Sequence, residues 1–188
     1  MQKFLIDYFK RAGKTLVNSN VEQLESIADV FMKARKQDKW IFAAGNGGSS
    51  ATASHFANDF VKGLSVQGKK RFRVMCLNDS VPVLTALAND YSYADCFVEQ
   101  LKNYAREGDI FVAYSGSGNS PNILKAAKYA KQIGMTVVSY TGRDGGKLNE
   151  YSHINCIAAT NVMEEIEDVH MVWEHALVCA LRPLIEKE

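Results

Sequence analysis

Charge of one sign is missing from this sequence. With 22 Lys and Arg against 21 Asp and Glu, the formal charge is +1, so no field argues for nucleic acid or an anionic membrane surface as a direct partner. Clustered cysteine is missing too. Cys76, Cys96, Cys156 and Cys179 lie far apart, with no CxxC or Cys/His cluster, and read as buried free thiols of a reducing compartment, not as a disulfide framework or thiolate metal site. No apolar run approaches the roughly 20 residues that span a bilayer. The stretch MQKFLIDYFKRAGK carries no long apolar segment behind its basic residues, so a cytoplasmic protein is the expectation. Nucleotide fingerprints are also absent. There is no G-x-x-x-x-G-K-[ST], GSGNSP lacks the third glycine of G-x-G-x-x-G, and GNGGSS ends in Ser50 with no acidic residue closing the next strand, so no nucleotide cofactor is expected.

What is present is a core. A chain of 188 residues, 47% hydrophobic and 23% charged, falls in the single-domain range. Residues 1–36 place Phe4, Leu5, Tyr8 and Phe9, then Val21, Leu24, Ile27, Ala28, Phe31 and Met32, at helical spacing, with NSN as the break between two helices. Five β-rich runs follow, WIFAAG (40–45), FRVMCL (72–77), DIFVAYS (109–115), TVVSYTG (136–142) and INCIA (154–158), with helix-like segments between them. This alternation predicts an α/β fold, a doubly wound, three-layer sheet of five mainly parallel strands, with the runs buried on both faces. A long last helix begins around Asn161, where Asn161 and Glu164 form a capping-box pattern.

In such sheets ligands collect beyond the carboxyl ends of the strands. Two loops stand there: GNGGSS (45–50) and SGSGNS (115–120). In the second, Ser120 is placed as an N-cap and Pro121 as the first helical residue, so a helix N-terminus faces the loop. Ser115, Ser117 and Ser120 offer hydroxyls, and Gly116 and Gly118 let the backbone approach a ligand. With no lysine or arginine, the loop suits a phosphate that serves as a handle and leaves again. The competing description is a glycine-rich turn with solvated serines.

The segments GNGGSSATASHFANDF, ALANDYSY, YSGSGNSPNILKAAKYAK and EDVHMVWEH, in that order, resemble the SIS (sugar isomerase) domain and, within it, the phosphoheptose isomerase group. The resemblance covers essentially the whole chain, 1–188, and is similar in fold class to flavodoxin-like and Rossmann-like sheets. It implies a phosphosugar ligand, with Ser115, Gly116, Ser117 and Ser120 on the phosphate and Asn46, Gly47, Gly48, Asn89 and Asp90 on the sugar. It also implies an aldose–ketose interconversion through an enediol, most like sedoheptulose 7-phosphate to D-glycero-D-manno-heptose 7-phosphate. Residues 1–36 would contribute to packing in a homotetramer.

The same resemblance places a catalytic carboxylate at Asp59 and an acid–base histidine at His175, and one Zn2+ per subunit on His55, Asp59, Glu167 and His175. Two of these positions depart from the group's pattern, which has glutamate at 59 and glutamine at 167. Shortening the base by a methylene retracts its carboxylate by roughly 1 Å, which opens the role of base to Glu167 as well as to Asp59. Two histidines and two carboxylates suit a divalent ion better than a set with a neutral amide. His55 and Asp59 share a helical face, whereas Glu167 and His175 are roughly 12 Å apart along a helix. A second implied function is a non-catalytic phosphosugar-binding regulator acting through protein partners, like the replication-initiator-associating proteins. His153 and His170 read as surface or packing residues.

Overall fold

The computed structural model describes residues 1–188. Each apolar run forms a strand: β1 (Trp40–Ala44), β2 (Arg73–Cys76), β3 (Ile110–Ser115), β4 (Thr136–Gly142) and β5 (Ile154–Ala158). They pair in the order β2-β1-β3-β4-β5, and every pair is parallel. Successive strand residues point to opposite faces. Ile41, Ala43, Ile110 and Val112 enter one core, while Phe42, Ala44, Phe111 and Ala113 enter the other. Burial on both faces is why the strands read as continuous apolar runs.

Seven α-helices surround the sheet: α1 (Gln2–Val17), α2 (Val21–Lys36), α3 (Gly48–Asn58), α4 (Val81–Asp90), α5 (Cys96–Tyr104), α6 (Pro121–Gln132) and α7 (Met163–Glu186). Phe31 of α2, Phe56 of α3 and Leu177 of α7 fill the first core; Phe97 of α5 and Ile123 of α6 fill the second. On α6 the stripe Ile123, Ala126, Ala127, Ala130 is fully buried, and its alanines let the helix sit close to the sheet. Thus β1 leads to a helix on one face and neighbouring β3 to a helix on the other. Their loops part at this point and leave a crevice at the carboxyl edge, the switch point of a 2-1-3-4-5 sheet.

The NSN break behaves as its chemistry predicts: Asn20 caps α2 by accepting from the Gln23 N–H at 3.0 Å. Helix α1 buries none of its residues. It is tied to α7 by the Tyr8 hydroxyl, which donates to Asp168 Oδ2 at 2.6 Å, and by Arg11 Nε, which donates to Glu165 Oε1 at 2.8 Å. Its apolar residues Phe4, Leu5, Ile6 and Phe9 remain exposed.

The start of α7 differs from the expected Asn161–Glu164 box. Val162 holds the cap position without a side-chain bond. The Thr160 hydroxyl accepts from the Val162 N–H at 3.3 Å and donates to Glu165 Oε2 at 2.9 Å. Glu165, buried and gripped by Arg11 and Thr160, sets the register in place of the box. No helix is long and apolar enough to cross a membrane.

Candidate active site

Ser115, Gly116, Ser117 and Ser120 line one side of a cavity of about 290 Å³, and Asn46, Gly47, Gly48 and Ser49 line the other. The N-termini of α3 and α6 open onto it, so oriented N–H groups face the cavity from both sides. Ser120 is the N-cap residue of α6 with Pro121 behind it, yet its hydroxyl makes no capping bond. Its side-chain partner is the Ser115 hydroxyl, at 3.4 Å. No lysine or arginine lines the cavity. The loop is held from behind: Gly118 has φ +62, and a Cβ there would overlap the Gly145 carbonyl. Leu148 N–H donates to the Gly118 carbonyl at 2.9 Å, and Gly142 N–H to that of Gly116 at 3.0 Å.

Asn46 is fixed by two residues the sequence reading did not single out. Its amide oxygen accepts from Asn122 Nδ2 and from the Tyr93 hydroxyl, both at 2.8 Å, and its Nδ2 donates to Asn122 Oδ1 at 2.9 Å. Asn89 and Asp90 are exposed in the last turn of α4 and lie outside the cavity lining, with Asn89 Nδ2 donating to Asp90 Oδ1 at 2.8 Å. The same connection does reach the site, through Tyr93.

Glu167 is the one carboxylate in the cavity wall. Its head group lies against Gly48, where a Cβ would overlap it, and close to the Ser49 N–H at the start of α3. Burial, then the Glu164 and Asp168 charges, raises its pKa above the ordinary carboxylate value, while the Ser49 N–H opposes that shift.

A second group gathers between α3 and α7. His55 Nε2 and His175 Nε2 are 2.9 Å apart, and Asp59 Oδ2 lies 3.4 Å from the first and 3.9 Å from the second. The donor atoms of His55, Asp59, Glu174 and His175 all fall within 4.8 Å of one another, a set that could coordinate a metal ion. Asp59 begins a wider π-helical turn (Asp59–Gly63) that continues α3, closed by Leu64 N–H on the Asp59 carbonyl at 2.9 Å.

Glu167, expected in this group from the resemblance, is not in it; Glu174 stands there instead. The physical reason is rise along the helix: α7 is unbroken from Met163 to Glu186, so residues 167 and 175 stay roughly 12 Å apart along the axis.

Glu174 is buried, and neither carboxylate oxygen has a hydrogen-bond partner in the protein. Burial, then the Asp59 charge, pushes its pKa up to about 7. Beside it, Tyr114 and Tyr140 stack with centroids 4.9 Å apart, and their buried hydroxyls are also unpartnered. Burial above all, with the Glu174 charge contributing, holds both tyrosines well above their ordinary value.

His170 is a core residue 2.9 Å from the Thr141 carbonyl through Nε2, with burial lowering its pKa to about 4, so it donates as the neutral imidazole. Of the four free thiols, Cys76, Cys96 and Cys156 are buried, but Cys179 is exposed, contrary to the expectation for it.

The SIS domain model matches residues 6–142. Curated relatives include a phosphoheptose isomerase of Clostridium acetobutylicum, 35% identical over 89% of this chain and 83% of the relative, and one of Leptospira biflexa, 37% identical over 95% and 90%. A solved phosphoheptose isomerase from Neisseria gonorrhoeae superposes with a TM-score of 0.89 at 29% identity, covering 97% of this chain and 98% of that one. The chain belongs to the SIS domain family and is closely related to its phosphoheptose isomerases.

Proposed function

We propose that this chain is a phosphosugar isomerase converting sedoheptulose 7-phosphate to D-glycero-D-manno-heptose 7-phosphate through an enediol. The observation that carries this reading is the serine cavity with a single carboxylate, Glu167, and no cationic side chain in its wall. Such a cavity holds a phosphate by neutral donors and helix N-termini and sets a base opposite the rest of the sugar.

In the reaction a proton leaves C1 of the ketose and returns to C2, while the oxygen-bound proton moves from O1 to O2. Glu167 takes the carbon-bound proton; its raised pKa brings it nearer to neutrality than a solvated glutamate, which suits a base that must also give the proton back. Asn46, locked by Asn122 and Tyr93, orients the sugar hydroxyls.

The group of His55, Asp59 and His175 lies outside the serine cavity, with His175 roughly 12 Å along α7 from Glu167, and zinc held by these residues would supply a Lewis acid there. Two imidazoles and carboxylate oxygen are a donor set that zinc accepts, and the unpartnered Glu174 carboxylate beside them fits a cation.

The protein acts as a homo-oligomer, as a tetramer in our reading. The exposed Phe4, Leu5, Ile6 and Phe9 of α1, and a groove between α2 and α7 lined by Leu24, Ala28, Leu177 and Leu181, offer apolar surface that a second copy would cover. A coupled assay with zinc-supplemented protein and a panel of ketose phosphates tests the activity. Turnover of the heptulose phosphate is expected. Binding without turnover of any of them would overturn the enzyme reading in favour of a regulatory phosphosugar sensor.

A further inference from the structure

We propose that Tyr93 is a positioning residue of the serine cavity: acting through Asn46, it fixes one hydrogen-bond donor, and no acceptor, toward the sugar oxygens of a bound phosphosugar. The inference deepens the phosphosugar reading of this site and rests on it.

A count of donors and acceptors carries it. The Asn122 side chain is 2% exposed, and the main chain sets its polarity, because the Ile123 N–H donates to its Oδ1 at 2.9 Å. That oxygen also accepts from Asn46 Nδ2 at 2.9 Å, and Asn122 Nδ2 donates back to Asn46 Oδ1 at 2.8 Å, so the two amides form a reciprocal pair. Turning the Asn46 amide over would set oxygen against oxygen and nitrogen against nitrogen. Its Oδ1 is therefore the atom that meets Tyr93, and the phenol hydroxyl, 2.8 Å away, is the donor. An amide offers two acceptor sites on oxygen and two hydrogens on nitrogen. In Asn46 both acceptor sites and one hydrogen are spent, so a single N–H is all that this residue has left for a ligand in the cavity it lines.

The phenol is itself held in place. Tyr93 opens a short 3-10 turn, Tyr93–Asp95, in which Asp95 Oδ1 accepts from Lys125 Nζ at 2.9 Å and Asp95 Oδ2 accepts from the Ser92 hydroxyl. Lys125 lies one turn after Asn122 on α6, so the turn is strapped to the helix whose N-terminus opens onto the cavity. Tyr93 is 56% exposed. A hydroxyl in that setting finds its partner in water, so its bond to Asn46 does more to fix Asn46 than to satisfy Tyr93. The outcome is one oriented donor beside the glycines of the first loop, suited to a hydroxyl or carbonyl oxygen of the sugar chain, while the phosphate is left to the serine loop.

The test is calorimetric binding of two unreactive ligands to the full-length protein: inorganic phosphate, and the heptitol 7-phosphate made by reducing the ketose. Tyr93→Phe keeps the ring and removes the hydroxyl. With that bond gone Asn46 holds its donor less firmly, and heptitol phosphate binding should weaken by about 2–10-fold, the scale of one hydrogen bond. Inorganic phosphate needs only the serine loop and should bind unchanged, a split that general damage to the cavity would not give. Tyr91→Phe, at a side chain 69% exposed two residues earlier, should alter neither ligand. Unchanged heptitol phosphate binding in Tyr93→Phe, an equal loss for both ligands, or the same loss in Tyr91→Phe would overturn the proposal. No binding of heptitol phosphate to the starting protein would overturn the phosphosugar reading and the proposal with it. Failure of the isomerase reading alone would show instead as the Tyr93 effect on binding with no turnover of any ketose phosphate.

Discussion

The Glu167 carboxylate fills the space that a Cβ on Gly48 would need. Glycine at 48 is what lets α7 lay a carboxylate against the N-terminus of α3 and keep it in the serine cavity. Gly48→Ala should therefore displace Glu167 while leaving the serine loop in place. Steady-state kinetics should show kcat reduced by about a hundredfold, the scale of a misplacement of about 1 Å, with KM within about threefold. An unaltered kcat would show that the position of Glu167 is immaterial.

The serine loop predicts the opposite split. Ser120→Ala removes a hydroxyl that makes no capping bond and only accepts from Ser115, so that its own proton is left for the phosphate. A hydrogen bond to a charged group contributes about 1.5–3 kcal/mol, so KM, and the inhibition constant for inorganic phosphate, should rise about 10–150-fold. Because the handle is held equally in ground and transition states, kcat should change little. A fall in kcat at constant KM would place Ser120 at the reacting carbons instead.

Removing metal should lower stability as well as activity. At a zinc concentration 100 times its dissociation constant, binding to the folded state alone adds about 2.7 kcal/mol, which for a chain of this size raises Tm by roughly 5–10 °C. Differential scanning of stripped and zinc-loaded protein should show this rise, and His55→Ala should abolish it. Equal Tm values with and without zinc in the starting protein would contradict a cation site in this group.

Much of this was legible in the sequence because the signals are local. Apolar runs flanked by glycine and polar residues located all five strands, since strands buried on both faces leave no other pattern. His55, Asp59 and His175 were legible as candidates and do converge. Glu174 was not singled out, although a signal exists. It lies four residues after His170 and three before Leu177, on the buried stripe of α7 with Ile166, Trp173 and Leu181, where a carboxylate is out of place. Asn122 and Tyr93 were illegible for a different reason: their partner, Asn46, lies 76 and 47 residues away, and only the folded chain brings them together.

His170 makes a prediction about pH. Its folded-state pKa of about 4 lies below the ordinary 6.5, so the unfolded chain takes up the proton first as pH falls. Its stabilising contribution is whole above about pH 6.5 and is lost toward pH 4, an amount of about 3 kcal/mol. In His170→Gln the amide can still donate to the Thr141 carbonyl but does not titrate. Urea unfolding across this range should show a flatter decline of stability on acidification in the variant. Parallel declines would remove His170 from the account.

The central claim is that Glu167, seated in the serine cavity, carries the proton between C1 and C2 of a heptulose phosphate. The most direct test follows sedoheptulose 7-phosphate by NMR in D2O with zinc-supplemented protein, comparing the starting chain with Glu167→Gln. The account predicts formation of the aldose phosphate with deuterium at C2 and exchange at C1 of the ketose, both slowed at least about a hundredfold in Glu167→Gln. Exchange at the same rate in the variant, or no exchange and no aldose with the starting protein, would contradict it.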